Sequence, residues 1–236
     1  MENSENTNLA GGKLAAKYQY VSAEELIAKM KTAFRNAKEP EILSELETVG
    51  ITESNLDDYL LEIADLEQLS QKQIKEYGEQ YAETDKFNLK RIEIDSLYTR
   101  HRNLAKIIFK GDRQSNTTLG IDEGRKRAFA AWFQQVSNFY AQILANPDFK
   151  TKAETVNIKD PDITAQQTAL EQITALKASQ KKEIGEAQKA TDTRDEALDL
   201  LYPKYTQLIG FAKILFPEDQ TLEKLGIIVK RESDLL

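Results

Sequence analysis

An internal repeat constrains this chain more than any other feature of its sequence. The 236 residues align with themselves when Glu47 is placed on Glu154, and the match is clearest at Glu47–Ile51 against Glu154–Ile158. We call this shift the repeat offset. About 20 of the 73 aligned pairs from residues 40 and 147 onward are identical, and the alignment needs no gap. The period is far longer than the roughly 34 to 47 residues of helical solenoid repeats. The sequence therefore predicts two related halves rather than an array of short repeats.

The repeat sets the expected domain boundaries, and the composition favours helix. Ten glycines and five prolines are too few for an all-β chain with many tight turns. We expect an all-α protein, an internally duplicated antiparallel helical bundle with long coiled-coil-like helices in a pseudo-twofold arrangement. The predicted parts are a disordered tail at residues 1–13, a first repeat at 14–121, a second repeat at 122–230 and a C-terminal tail at 231–236.

Each half is predicted to open with an amphipathic helix. Ser22 and Glu25 form a capping box for the first such helix. Its counterpart is expected to start near Asp122 and to stop before Pro147, with apolar residues recurring every three or four positions. The predicted core consists of Phe129, Trp132, Phe133, Val136, Phe139 and Tyr140, with Tyr205 from a later helix.

The remainder of each half, about residues 56–109 and 163–216, has high helix propensity and two possible structures. One is a single helix of about 80 Å at 1.5 Å per residue, and the other is a hairpin broken in the polar stretch near Thr84 and Thr191. Base rates favour the hairpin. The gapless repeat favours the single helix, because loops collect insertions. We expect a long helix with a polar middle, which Pro203 would kink rather than end.

The sequence carries no motif for catalysis. The chain has no cysteine, which excludes disulfides, thiol catalysis and cysteine-ligated metals. His101 is the single histidine; it lacks the Glu-x-x-His spacing of a di-iron bundle, and Leu208 stands at its place in the second half. Phosphate-binding and hydrolase motifs are also absent. We therefore expect no enzymatic activity, no catalytic residue, no metal site and no cofactor, and we interpret His101 as a helix-surface or hydrogen-bonded structural residue.

Two matching polar pairs form one candidate site. Thr84 and Asp85 align with Thr191 and Asp192 at the repeat offset. One interpretation is a paired polar site where the two long elements meet. The other is helix capping or a solvated turn, which polar residues of this kind commonly provide.

A basic segment at residues 100–127 forms a second candidate site. It carries a net charge of +5 in a chain whose total is −7. The acidic total and the lack of a matching cluster in the second half disfavour nucleic-acid binding. Pairing of the basic residues with acidic neighbours is the favoured alternative. The possible interaction surface consists of Arg100, Arg102, Arg113, Arg125, Lys126 and Arg127.

Several segments resemble a group of uncharacterised bacterial all-helical proteins. The likeness lies in Leu119–Arg127, in Trp132 with the Phe139-Tyr140 pair, in Ile184–Thr191 and in the ending Leu225–Lys230, although Ala131 stands where the group usually has glycine. The resemblance implies a bacterial source and a helical fold. It supplies no activity that could be transferred to this chain.

The sequence favours a role carried out by surfaces rather than by a reaction. The polar, acidic N-terminus does not resemble a signal peptide, and no segment approaches the roughly 20 apolar residues of a membrane span, so a soluble cytoplasmic protein is expected. We expect a non-enzymatic structural or interaction protein that binds itself or a protein partner. Nucleic-acid binding through residues 100–127 is the weakest alternative. The stronger alternative is a bundle that binds an apolar molecule among Trp132, Phe139, Tyr140, Tyr202 and Tyr205.

Overall fold

The computed structural model describes residues 21–217 and 220–227, and these residues form eight helices and no strand. The predicted all-α class is confirmed. The expected tails at residues 1–13 and 231–236 lie outside the described residues. The helices are α1 (Ala23–Asn36), α2 (Pro40–Thr48), α3 (Glu53–Ile108), α4 (Arg113–Thr118), α5 (Phe129–Ala145), α6 (Pro147–Glu154), α7 (Asp160–Leu215) and α8 (Thr221–Lys224).

The two long elements are single helices, not hairpins. α3 and α7 each run for 56 residues without a break. Pro203 lies inside α7, and the helix continues past it, as the sequence predicted. A proline removes one backbone hydrogen bond from the helix. Leu198 and Leu201, in the turn before this proline, are buried in a hydrophobic core.

The helix bounds recur along the chain. α2 begins at Pro40 and α6 at Pro147, while α3 spans Glu53–Ile108 and α7 spans Asp160–Leu215. The starts of α2 and α6, the starts of α3 and α7, and the ends of α3 and α7 are each separated by the repeat offset that places Glu47 on Glu154. A duplication produces such recurrence, whereas the pseudo-twofold arrangement stays a prediction.

The turns that follow α2 and α6 have the same geometry. Gly50 has a φ of +85°, and Asn157, its aligned counterpart, has a φ of +62°. In both turns the next residue donates its N–H back to the helix, from Ile51 to the carbonyl of Leu46 at 3.1 Å and from Ile158 to that of Ala153 at 3.1 Å. This pattern is a left-handed helix cap, which glycine and asparagine adopt most easily. The cap buries the isoleucine, which explains why the repeat is strongest there.

The start predicted for α5 is wrong by seven residues. The helix begins at Phe129 rather than near Asp122. The backbone before it is held by a side chain of α5 itself: the Gln135 amide donates to the carbonyl of Gly124 at 3.1 Å, and its oxygen accepts from the Lys126 N–H at 3.1 Å. Because side chains satisfy these backbone groups, the segment does not need to be helical.

The chain divides into two compact units. Unit 1 comprises Met1–Gly78 and Gly185–Leu236, and unit 2 comprises Glu79–Ile184. Each long helix therefore contributes one half to each unit. In terms of the predicted repeats, each unit combines the first part of one repeat with the last part of the other.

Each unit has its own hydrophobic core. In unit 1, α1 and α2 pack against the first half of α3 and the second half of α7, with Met30, Phe34, Leu46, Ile63 and Leu208 at most 1% exposed. In unit 2, α5 and α6 pack against the second half of α3 and the first half of α7, with Ile94, Tyr98, Phe139, Ile143 and Ile173 fully buried.

Candidate functional site

The aromatic residues of α5 form the core of unit 2. Four of the six predicted core residues in this helix are buried, and Phe129 and Phe133 are half-buried against the same core. The ring of Phe139 lies 5.4 Å from that of Tyr98 on α3, in an edge-to-face arrangement. The core prediction is confirmed for Trp132, Val136, Phe139 and Tyr140.

His101 is a buried residue with a hydrogen-bond partner. It is 4% exposed, and its Nδ1 lies 3.1 Å from the hydroxyl of Tyr140. Burial lowers the pKa of His101, an effect that Arg100 reinforces and Asp162 opposes. Burial also raises the pKa of Tyr140 far above its usual value. Both groups are therefore neutral at pH 7, and their geometry fits the structural interpretation of His101.

The residues of the predicted aromatic ligand site are divided between the two units. Trp132, Phe139 and Tyr140 belong to the core of unit 2, whereas Tyr202 and Tyr205 are half-buried against the core of unit 1. Within unit 1 the ring of Tyr205 packs 6.3 Å from that of Phe34. The sequence pattern could not separate the two groups, because both show the same helical spacing of apolar residues.

Arg102 must be removed from the predicted interaction surface. It is 5% exposed, and its guanidinium donates to the carbonyl of Ile121 at 3.2 Å and to that of Glu123. Arginine suits this place because its several N–H groups can satisfy two carbonyls at once. Arg102 therefore anchors the chain before α5 instead of presenting a charge to a partner.

Two further basic residues of the segment are paired with carboxylates. Arg125 forms an ion pair with Asp95 of α3, and the same carboxylate accepts a hydrogen bond from Trp132 Nε1 at 2.8 Å. Lys126 pairs with Glu123 at 2.7 Å. These contacts match the alternative in which the basic residues pair with acidic neighbours around the Trp132 helix.

Five members of the predicted basic surface keep exposed side chains. They are Arg100, Arg113, Arg125, Lys126 and Arg127. The backbone carbonyl of Arg127 also accepts a hydrogen bond from Arg91. Carboxylates already offset the charge of Arg125 and Lys126, which weakens the nucleic-acid alternative further.

The two polar pairs lie in different units. Thr84 and Asp85 belong to unit 2, while Thr191 and Asp192 belong to unit 1. Both aspartates are exposed, Thr84 is half-buried and Thr191 is 1% exposed. The Asp192 carboxylate accepts from Gln188 one turn earlier at 2.9 Å. A joint site of the four residues stays a prediction, and within each unit the threonine has a separate structural role.

Each threonine contacts a glutamine on the other long helix. Gln73 of α3 donates to Thr191 Oγ1 at 3.4 Å in unit 1, and Gln180 of α7 donates to Thr84 Oγ1 at 3.2 Å in unit 2. Gln73 and Gln180 are themselves aligned with each other at the repeat offset. The sequence reasoning missed these glutamines, although their identity at the repeat offset was the available signal.

Unit 1 adds a buried cation to this contact. Arg194 is 5% exposed and donates to Gln73 Oε1 at 2.7 Å and to Asp195 at 2.6 Å. Burial raises the pKa of Asp195, while Arg194 opposes the rise. At the aligned position, unit 2 has Phe87, which is buried in its core. The same helix contact is therefore polar in one unit and aromatic in the other.

A surface of α3 in unit 2 exposes large apolar side chains. Tyr81, Leu89 and Ile92 are 50%, 67% and 65% exposed. Their spacing of eight and three residues places them within about 80° of one another around the helix, at 100° per residue. Asp85 lies between Tyr81 and Leu89 on that side. We call the three apolar residues the α3 face.

No described helix combines the length and the apolar character that crossing a membrane requires. Comparison of the chain with protein-family models, with curated proteins and with solved structures gave no match. The function is therefore argued from the described residues alone.

Proposed function

We propose that this chain is a non-enzymatic interaction protein that self-associates through the α3 face. The observation that carries the proposal is the exposure of Tyr81, Leu89 and Ile92 on one side of a rigid helix. Scattered apolar residues on a surface need no explanation, whereas neighbouring ones mark interaction sites. Full burial of a Leu or Ile side chain is worth about 1.5–3 kcal/mol, so a second copy gains most at Leu89 and Ile92.

One charged residue lies on the α3 face itself. Asp85 falls about midway between Tyr81 and Leu89 around the helix, at 100° per residue. Two Asp85 carboxylates that met across a contact between two copies would repel one another. This favours a contact centred toward Leu89 and Ile92.

The non-enzymatic part of the proposal is supported by structural contacts that already engage the side chains most often used in catalysis. The single histidine is buried and bonded to Tyr140, and Arg102 and Arg125 are engaged in holding the chain before α5. The chain has no cysteine. These residues are the ones that a general acid, a nucleophile or an anion clamp would most often use.

Light scattering after size-exclusion chromatography tests this proposal. We expect wild-type protein to show a mass above the 26.8 kDa of one chain at high concentration. Leu89→Lys with Ile92→Lys should return the mass to one chain. The matched control is Leu200→Lys, an equally exposed leucine of unit 1 at 73%, which should behave as wild type. A wild-type mass of one chain at all concentrations would contradict self-association.

A further inference from the structure

We infer that Asp85 and Arg100 determine how two copies of this chain recognise each other, with the α3 helices antiparallel and each Asp85 beside the Arg100 of the second copy. The inference rests on the proposed self-association through the α3 face, and it names the residues that give this contact its specificity. Both residues lie on α3 in unit 2, one before and one after the apolar pair Leu89 and Ile92 along the chain.

Asp85 and Arg100 are charges that α3 leaves available to a partner. Both side chains are exposed, and neither forms an ion pair with any residue that the structure describes. The charged residues between them all have a partner within the chain. The contacts are Lys86 with Glu83, Lys90 with Glu93, Arg91 with the carbonyl of Arg127, and Asp95 with Arg125. An opposite charge on a second copy would give Asp85 and Arg100 the partner that their own chain does not supply.

The helical geometry places these two charges beside the apolar residues. At 100° per residue, Arg100 lies about 20° from Leu89 around the helix and about 60° from Asp85. At 1.5 Å per residue, Asp85 lies about 10 Å before Ile92 and Arg100 about 12 Å after it. The surface around Leu89 and Ile92 therefore has an acid at one end and a base at the other, at nearly equal distances from Ile92.

This order of charges selects the antiparallel orientation. Two parallel copies in register would set Asp85 against Asp85 and Arg100 against Arg100, so like charges would meet twice. Two antiparallel copies related by a twofold axis near Ile92 set each Asp85 against an Arg100, so opposite charges meet twice. The same axis brings the two Ile92 side chains together. Charged residues that flank an apolar contact set the orientation of paired helices in the same way in coiled coils.

Charge reversal followed by light scattering tests this inference. Asp85→Arg alone and Arg100→Asp alone each place like charges at both symmetry-related contacts, and each should weaken self-association at least about tenfold. An equimolar mixture of the two variants should regain the wild-type mass, because one copy then carries two bases and the other two acids. The matched controls are Glu171→Arg and Lys181→Asp, at exposed residues of α7 in unit 2 that form no ion pair with a described residue. Both controls should associate as wild type.

Cross-linking gives a second measurement that needs no charge reversal and decides if either reversed variant fails to fold. Asp85→Cys and Arg100→Cys, treated with a short bis-maleimide, should cross-link to each other faster than either variant cross-links to itself. Faster cross-linking of each variant to itself, or a mixture of the reversed variants that does not regain the wild-type mass, would overturn this inference and leave self-association standing. A wild-type mass of one chain at all concentrations would contradict the proposed function, and this inference with it.

Discussion

Gln73 and Thr191 join the two long helices in unit 1, with the glutamine amide donating to the threonine hydroxyl at 3.4 Å. Gln180 and Thr84 make the same contact in unit 2 at 3.2 Å. The repeat offset relates Gln73 to Gln180 and Thr84 to Thr191. The polar middle of each long helix thus takes part in a side-chain hydrogen bond to the other long helix. This contact explains why the threonines match between the two halves.

Gln73→Leu should lower the free energy of unfolding more than Gln180→Leu. Gln73 also accepts a hydrogen bond from the buried Arg194 at 2.7 Å, so its loss leaves a buried cation with an unsatisfied donor. Such a loss costs about 1–3 kcal/mol. In unit 2 Phe87 takes the place of Arg194, and the cation that donates to Gln180 is Lys177, which is only half-buried and can turn to water when Gln180 is lost. Urea denaturation measures both variants, and equal losses would contradict the role assigned to Arg194.

Asp95→Ala should destabilise the protein by about 1–3 kcal/mol, because it leaves the buried Trp132 N–H without its acceptor and Arg125 without its carboxylate. Asp95→Asn keeps an acceptor for Trp132 and loses only the half-exposed ion pair, so its effect should be smaller. Denaturation followed by Trp132 fluorescence reports on this environment directly. Equal destabilisation by the two substitutions would show that Asp95 stabilises the protein mainly through the ion pair with Arg125 rather than through the hydrogen bond from Trp132.

Stability should fall at acid pH through His101. Burial lowers the pKa of His101 in the folded protein, so the unfolded chain binds the proton more readily, at about pH 6.5. The contribution to stability is full above that pH and is lost as the pH falls toward the folded pKa. His101→Gln removes this term. Between about pH 7.5 and pH 5.5, wild type should lose more stability than the variant, and identical losses would contradict the prediction.

Ser70→Ala should raise the free energy of unfolding by about 1 kcal/mol, since it removes a buried hydroxyl without a partner. Alanine also has the higher helix propensity. Thr32→Ala on α1 is a useful comparison, because the hydroxyl of Thr32 is bonded to the carbonyl of Ala28 at 3.0 Å. A loss of stability in Ser70→Ala would mean that the hydroxyl has a partner after all.

The sequence predicted the features that depend on neighbouring residues. The all-α class, the unbroken helices across Thr84 and Thr191, and the buried side of α5 around Trp132 all follow from helical periodicity and from the gapless repeat. These signals are local along the chain, and the repeat supplies each of them twice.

Features set by distant contacts were not predictable in the same way. Arg102 looked like a surface cation, but it is buried because the carbonyls of Ile121 and Glu123 face it across the fold. α5 starts late because Gln135 holds the preceding backbone. The division into units is also non-local, since each unit draws on both predicted repeats. In each case the structure depends on a contact between residues that are distant along the chain, and the helical spacing of apolar residues carries no signal for such a contact.

Single-cysteine cross-linking tests the proposed self-association most directly, because the chain has no cysteine of its own. Ile92→Cys would be treated with a short bis-maleimide, and Leu200→Cys, at a residue 73% exposed in wild type, would serve as the control. The account predicts cross-linked dimers with Ile92→Cys and none with Leu200→Cys at the same protein concentration. Equal cross-linking at both positions, or none at Ile92→Cys, would contradict a contact through the α3 face.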